Sequence, residues 1–118
     1  MRILDPAGRG AQQFRNTSGS IPASGLKQVA GDYKIGDADG TVICSTMRGG
    51  MTITLPRAAL HAGRTVTIRK GDPGSGIVKI QSVNGELVGG AIWVTLAAAD
   101  EYAVFQSDGS AWVVVTHF

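Results

Sequence analysis

A chain of 118 residues suits one domain, and at 43% hydrophobic residues it can bury a core without disulfides or metals. Its 11 basic and 9 acidic side chains leave a net charge of +2, too balanced for nucleic-acid binding by bulk charge, and the lone cysteine, Cys44, excludes an internal disulfide framework. The 17 glycines are about twice the usual share; without a Gly-X-Y period they exclude collagen and point to many tight turns.

The first 30 residues show neither a strand nor a helix period. They carry Gly8, Gly10, Pro6, Pro22 and the small polar run from Asn16 to Ser20, with isolated apolar residues between them. That pattern predicts an extended N-terminal arm over residues 1–30, with Ile3, Leu4, Phe14, Ile21 and Leu26 as anchors that dock in separate pockets of a partner. No apolar leader follows Met1, and no stretch approaches membrane-spanning length, so neither secretion nor a membrane partner is expected.

From residue 31 the pattern becomes strand, turn, strand. About eight short strands are predicted, over residues 32–35, 41–45, 51–55, 64–70, 77–81, 91–96, 101–107 and 111–116. Met51, Ile53 and Leu55 alternate with Thr52 and Thr54; Val66 and Ile68 alternate with Thr65, Thr67 and Arg69. One buried and one wet face is the mark of antiparallel sheets. The expectation is therefore an all-β, antiparallel β-sandwich or jelly-roll-like domain over residues 31–118. Asn84-Gly85 and Asp108-Gly109 are the strongest hairpin signals, and the glycine-rich run over residues 71–76 reads as a flexible hairpin tip. Residues 57–62 allow one or two helical turns at most. The stretches Ile92-Trp93-Val94 and Trp112-Val113-Val114-Val115 are apolar on both faces, so Trp93, Trp112, Val113 and Val115 are candidate subunit-interface residues.

The chemistry of catalysis is hard to assemble. The two histidines, His61 and His117, have no metal-ligand spacing. Asp37-x-Asp39-Gly40 opens like a calcium loop, but the twelfth position is Arg48, so an Asx turn is the better reading. Asp100 and Glu101 are neighbours at a strand start and would point apart. Cys44, between Ile43 and Ser45, reads as a small buried hydrophobe. The basic residues are scattered, only Arg69 and Lys70 being adjacent, and read as a solvated surface. Tyr33, Trp93, Tyr102, Phe105 and Trp112 could form a ligand platform, although such aromatics more often fill a core. No enzyme, cofactor or metal is expected.

In order along residues 32–115 come Asp32-Tyr33, Asp39-Gly40-Thr41-Val42-Ile43-Cys44, Met51-Thr52-Ile53-Thr54-Leu55-Pro56 and the run from Gly63 to Lys70. Val94-Thr95-Leu96, Tyr102 and Ser107-Asp108-Gly109-x-x-Trp112 follow. This series resembles a small glycine-rich β-module of tailed-bacteriophage virion proteins, found in head decoration proteins and in tail fibres and spikes. The resemblance implies a non-enzymatic virion structural protein, with a trimeric sandwich and no catalytic residues. A free-standing module with an arm resembles a capsid decoration (cement) protein. It would be made in the host bacterial cytoplasm and carried on the capsid exterior, where it binds the major capsid protein across subunit boundaries, as a homotrimer and without nucleic acid. The alternative that the resemblance implies is a tail fibre or tail spike module that recognises a host glycan.

Overall fold

The computed structural model describes residues 25–118, and among them nine strands form two sheets. In chain order they are β1 (Leu26–Val29), β2 (Tyr33–Lys34), β3 (Thr41–Cys44), β4 (Met51–Leu55), β5 (Thr65–Lys70), β6 (Val78–Ser82), β7 (Trp93–Leu96), β8 (Tyr102–Ser107) and β9 (Trp112–His117). The five-stranded sheet runs β9-β8-β5-β3-β1 and the four-stranded sheet β2-β4-β6-β7. The all-β expectation holds, and each of the eight expected strands is present with its ends moved by no more than two residues.

Strand alternation does the packing. In β4, Met51, Ile53 and Leu55 point inward while Thr52 and Thr54 face outward. The inward residues of β4, with Val78 and Ile80 of β6 and Leu96 of β7, come from the four-stranded sheet. Val42 and Cys44 of β3, Val66 and Ile68 of β5, Ala103 and Phe105 of β8 and Trp112 of β9 come from the other. All belong to a single core cluster, and each large apolar side chain buried there contributes about 1.5–3 kcal/mol.

The antiparallel expectation is corrected. β1 pairs parallel with β3, β3 with β5, β2 with β4, and β4 with β6; only β6–β7, β5–β8 and β8–β9 are antiparallel. The chain alternates between sheets from β1 to β6, so each crossover between parallel neighbours is itself a strand of the opposite sheet. Period-two alternation reports one wet face and one buried face, and it is the same for either strand direction. The parallel stack ends on β1 and β2 at one side, and antiparallel strands follow it at the other.

The arm boundary is also corrected. Residues expected at its end form β1, with Leu26 paired to Thr41 and Val29 to Cys44. Leu26, Lys27 and Gln28 are exposed on this edge strand, so hydropathy alone did not mark it. Gly25 sits at its entry with φ +77, and a Cβ there would lie 2.5 Å from the Ala38 carbonyl oxygen. The anchors Ile3, Leu4, Phe14 and Ile21 lie outside the described residues.

Asp108-Gly109 does join a hairpin, β8 to β9, closed by the Asp108 N–H on the Ala111 carbonyl at 3.1 Å. Asn84-Gly85 makes a tight turn with φ of 56° and 70°, and the Glu86 N–H donates to the Val83 carbonyl at 3.1 Å. The turn follows β6 directly but does not lead straight into β7, which pairs with β6 only after the longer excursion through Val88 and Ala91. The helical turn expected over residues 57–62 is a 3-10 turn, Ala58–Leu60.

Candidate functional site

The two outer faces differ in chemistry. On the four-stranded sheet, register aligns Lys34, Thr54, Gln81 and Trp93 in one row, and Thr52, Lys79 and Thr95 in the next. A shallow groove of about 470 Å³ crosses this face, lined by Asp32, Tyr33, Lys34, Thr52, Thr54 and Gln81. Its walls are held by hydrogen bonds: Asp32 Oδ1 accepts the Thr52 N–H at 2.8 Å, and the Tyr33 hydroxyl donates to Asp39 Oδ2 at 2.5 Å. That second bond raises the Tyr33 pKa, because ionisation would place a phenolate against a carboxylate. At the end of the first row Trp93 is 49% exposed, with the Lys79 Nζ 4.2 Å from its ring centroid.

The five-stranded sheet presents a different surface. On β9, Val113 is 45% and Val115 54% exposed, and the terminal Phe118 is 72% exposed beside Tyr102, their centroids 5.4 Å apart. Register shifts between Val114 and Thr116, so Val115 is the extra residue of a β-bulge on this edge strand. Leu87 to Gly89 covers the start of that edge: the Leu87 carbonyl accepts the Trp112 N–H at 3.0 Å, and the Gly89 N–H donates to the Trp112 carbonyl at 2.8 Å.

Trp112 is corrected as an interface candidate. It is only 1% exposed and its Nε1 donates to the Pro56 carbonyl at 2.8 Å, so it serves the core. Phe105 is buried too, which breaks up the expected set of platform aromatics and leaves Trp93 beside the groove that Tyr33 lines. Cys44 is buried as expected; desolvation, and then the nearby Asp72 charge, push its thiol up to about 12, which makes it unreactive at neutral pH.

One cluster escaped the sequence reading. Lys70, expected on the solvated surface, is fully buried in β5. Its Nζ donates to the Asp72 carbonyl at 2.8 Å and to the Gly74 carbonyl, with Asp72 Oδ1 at 3.5 Å. Asp72 in turn accepts from Thr46 Oγ1 at 2.8 Å, from the Thr46 N–H at 2.7 Å and from the Gly74 N–H at 3.0 Å. The Thr46 hydroxyl leads the causes that hold the Asp72 carboxyl well below the usual carboxylate range. The glycine-rich run over residues 71–76 is thus folded around an ammonium group, and it connects strands of different sheets rather than a hairpin. At its far end, a Cβ on Gly76 would lie 2.5 Å from the Gly49 carbonyl carbon. The only sequence sign was the strand alternation itself, which placed Lys70 on the same face as Val66 and Ile68.

Other polar side chains are spent structurally. Arg64 Nη2 donates to the Gly36 carbonyl at 2.5 Å and to the Asp39 carbonyl at 2.6 Å, tying the Asp37–Gly40 turn to β5. Asp39 Oδ2 accepts the Gly36 N–H at 2.7 Å and the Asp39 N–H donates to the Gly36 carbonyl at 3.2 Å, so the segment closes by a bond to the residue three back rather than by the Asx turn expected of it. Asp100 pairs with Arg69 at 2.7 Å, and Glu101 with His117 at 2.8 Å. Among the described residues no three His, Cys, Asp or Glu side chains converge as a metal site, and no helix is long and apolar enough to cross a membrane. No protein-family model matches the chain, and no curated protein matches it in sequence.

Proposed function

We propose that this chain is a non-enzymatic structural protein of a tailed-phage virion, a capsid decoration (cement) protein that binds across capsid subunit boundaries, as a trimer, on the capsid exterior. The observation that supports this reading is the exposed apolar surface of β9 and the C-terminus, where Val113, Val115 and Phe118 stand in solvent. Charged or polar residues on that strand would cost a monomer nothing; apolar ones suit a surface that is covered in an assembly. The two sheets around one core suit the sandwich-like architecture that the phage-module resemblance implies.

In this proposal the arm is residues 1–24, with Ile3, Leu4, Phe14 and Ile21 docking on the major capsid protein. Each anchor buried in a partner contributes about 1.5–3 kcal/mol. Many weak copies acting over a lattice then resist outward pressure by multivalency. The test removes residues 1–24 and leaves β1 in place, because a cut at residue 30 would also delete an edge strand. The shortened protein is expected to keep its β-rich circular dichroism and to lose sedimentation with purified capsids. Undiminished co-sedimentation would overturn the arm's role. A monomer at all concentrations, combined with no capsid binding by the full chain, would overturn the assembly reading.

A further inference from the structure

We propose that Asn84 is a site of spontaneous covalent modification, where the side-chain amide is lost through a cyclic imide with Gly85 and the residue becomes isoaspartate or aspartate. The proposal does not rest on the assembly reading.

The step balances with the chain's own atoms and water. The Gly85 nitrogen gives its proton to solvent and bonds to Asn84 Cγ. The Cγ–Nδ2 bond breaks and ammonia leaves. Water then opens the five-membered ring. Attack at Cγ restores the ordinary main chain and yields aspartate. Attack at the Asn84 main-chain carbonyl carbon leaves the chain running through Cβ and Cγ, which is isoaspartate. Either product replaces a neutral amide with a carboxylate.

Three turns of this chain place Asp or Asn directly before glycine, and the structure separates them. At Asp39-Gly40, Asp39 Oδ2 accepts the Gly36 N–H at 2.7 Å and the Tyr33 hydroxyl at 2.5 Å, and the Gly40 N–H is spent on the Gly25 carbonyl at 2.7 Å. At Asp108-Gly109, Asp108 Oδ1 accepts the Ser110 and Ala111 N–H groups, both at 2.9 Å, and the Gly109 N–H donates to Ser107 Oγ at 3.1 Å. The Ser110 N–H leads the causes that hold the Asp108 carboxyl below its ordinary range, and an ionised carboxylate is a poor electrophile. In both turns the electrophile and the nucleophile are tied down. At Asn84-Gly85 neither is: the Asn84 carboxamide and the Gly85 N–H have no hydrogen-bond partner among the described residues. Both residues are exposed, and a Cβ on Gly85 would meet nothing within 4 Å.

The folded turn sets the pace. Asn84 has φ 56 and ψ 26, and that ψ holds the Gly85 nitrogen away from Cγ, so the ring closes only when the turn opens. The turn is closed by the Glu86 N–H on the Val83 carbonyl at 3.1 Å, and leaving the left-handed region relieves a non-glycine residue of crowding. Local opening of an exposed turn of this kind needs no global unfolding. Isoaspartate would add a main-chain atom just ahead of Leu87 and Gly89, which bond to Trp112 at the start of β9.

The experiment holds the full-length protein in warm, mildly alkaline buffer, digests it with trypsin, and maps the peptide that follows Lys79 by chromatography and fragmentation mass spectrometry. The expected result is amide-to-acid exchange at residue 84, with isoaspartate the larger product and with Asp39 and Asp108 unmodified. A synthetic peptide of residues 80–90 should convert about tenfold faster, which corresponds to about 1.4 kcal/mol for opening the turn. Asn84→Gln should keep the parental circular dichroism and lose the product, because its longer side chain closes a six-membered ring slowly. An intact amide at residue 84 after the peptide has fully converted, aspartate without isoaspartate, or isoaspartate at residue 39 or 108 at a matching rate would each overturn the proposal.

Discussion

The two outer faces of this protein stand on the same core and were given opposite surfaces. Beneath both, inward β-branched, leucine and aromatic side chains meet between the sheets. Above the four-stranded sheet lie threonines, a glutamine and lysines beside one indole; on β9 of the five-stranded sheet stand two exposed valines beside a terminal phenylalanine. The difference teaches that strand alternation secures the fold with one face of each strand and leaves the other face free to be chosen for contact. Trp93 and Trp112 state the contrast in a single residue type. Trp112 is fixed by a hydrogen bond to the Pro56 carbonyl and by close packing, while Trp93 is half exposed with the Lys79 ammonium over its ring.

The comparison breaks if the two tryptophans behave alike. Trp112→Ala should destabilise the fold by about 3–5 kcal/mol, the loss typical of a large aromatic removed from a core. Chemical denaturation would measure it; a loss below about 1 kcal/mol would mean that Trp112 is not a core residue. Lys70→Met should cost roughly 3 kcal/mol by the same measurement, because the Asp72 and Gly74 carbonyls lose their donor and a charged partner disappears. An unchanged or higher stability would show that the cage around Lys70 gives no net support.

Acid should sharpen the picture more gently. The Glu101 carboxylate is held below its usual range first by the Ala98 and Ala97 N–H groups, at 2.9 and 2.7 Å, and then by His117. A depressed folded pKa means that its stabilising contribution is complete above the unfolded value, about 4.3, and fades as pH falls through the folded value. Stability should therefore drop below about pH 4, and Glu101→Gln should flatten that acid limb. An acid limb identical in the two proteins would remove Glu101 from the account. The smallest effect on the fold belongs to β9: Val115→Lys should change monomer stability by no more than about 0.5 kcal/mol while abolishing association on sedimentation. A large stability loss would place Val115 in the core instead.

Much of the fold could be read from the residues, because each strand from β2 onward carries alternation or turn chemistry that local physics dictates. Met51–Leu55 came out to the residue. Strand direction was illegible, since a wet face and a buried face look the same in parallel and antiparallel pairs. β1 was missed because an edge strand exposing Leu26, Lys27 and Gln28 has no apolar period to reveal it. Of the surfaces, the exposure of Val113 and Val115 was legible from the two-faced apolar run, while Trp112 in the same run was misplaced by the same reasoning. Lys70 was missed because charge argues for the surface, and its cage is assembled from Thr46 and Asp72, far apart in the chain. The row from Lys34 to Trp93 depends on register across four strands, which no local pattern encodes.

The central claim, an abundant structural protein of the virion, is tested most directly by the copy number of this chain in purified particles, measured by quantitative mass spectrometry against the major capsid protein. The account predicts an abundance comparable to that of the capsid protein. A few copies per particle would contradict decoration of the head and move the chain to the tail, and complete absence would contradict the virion role itself.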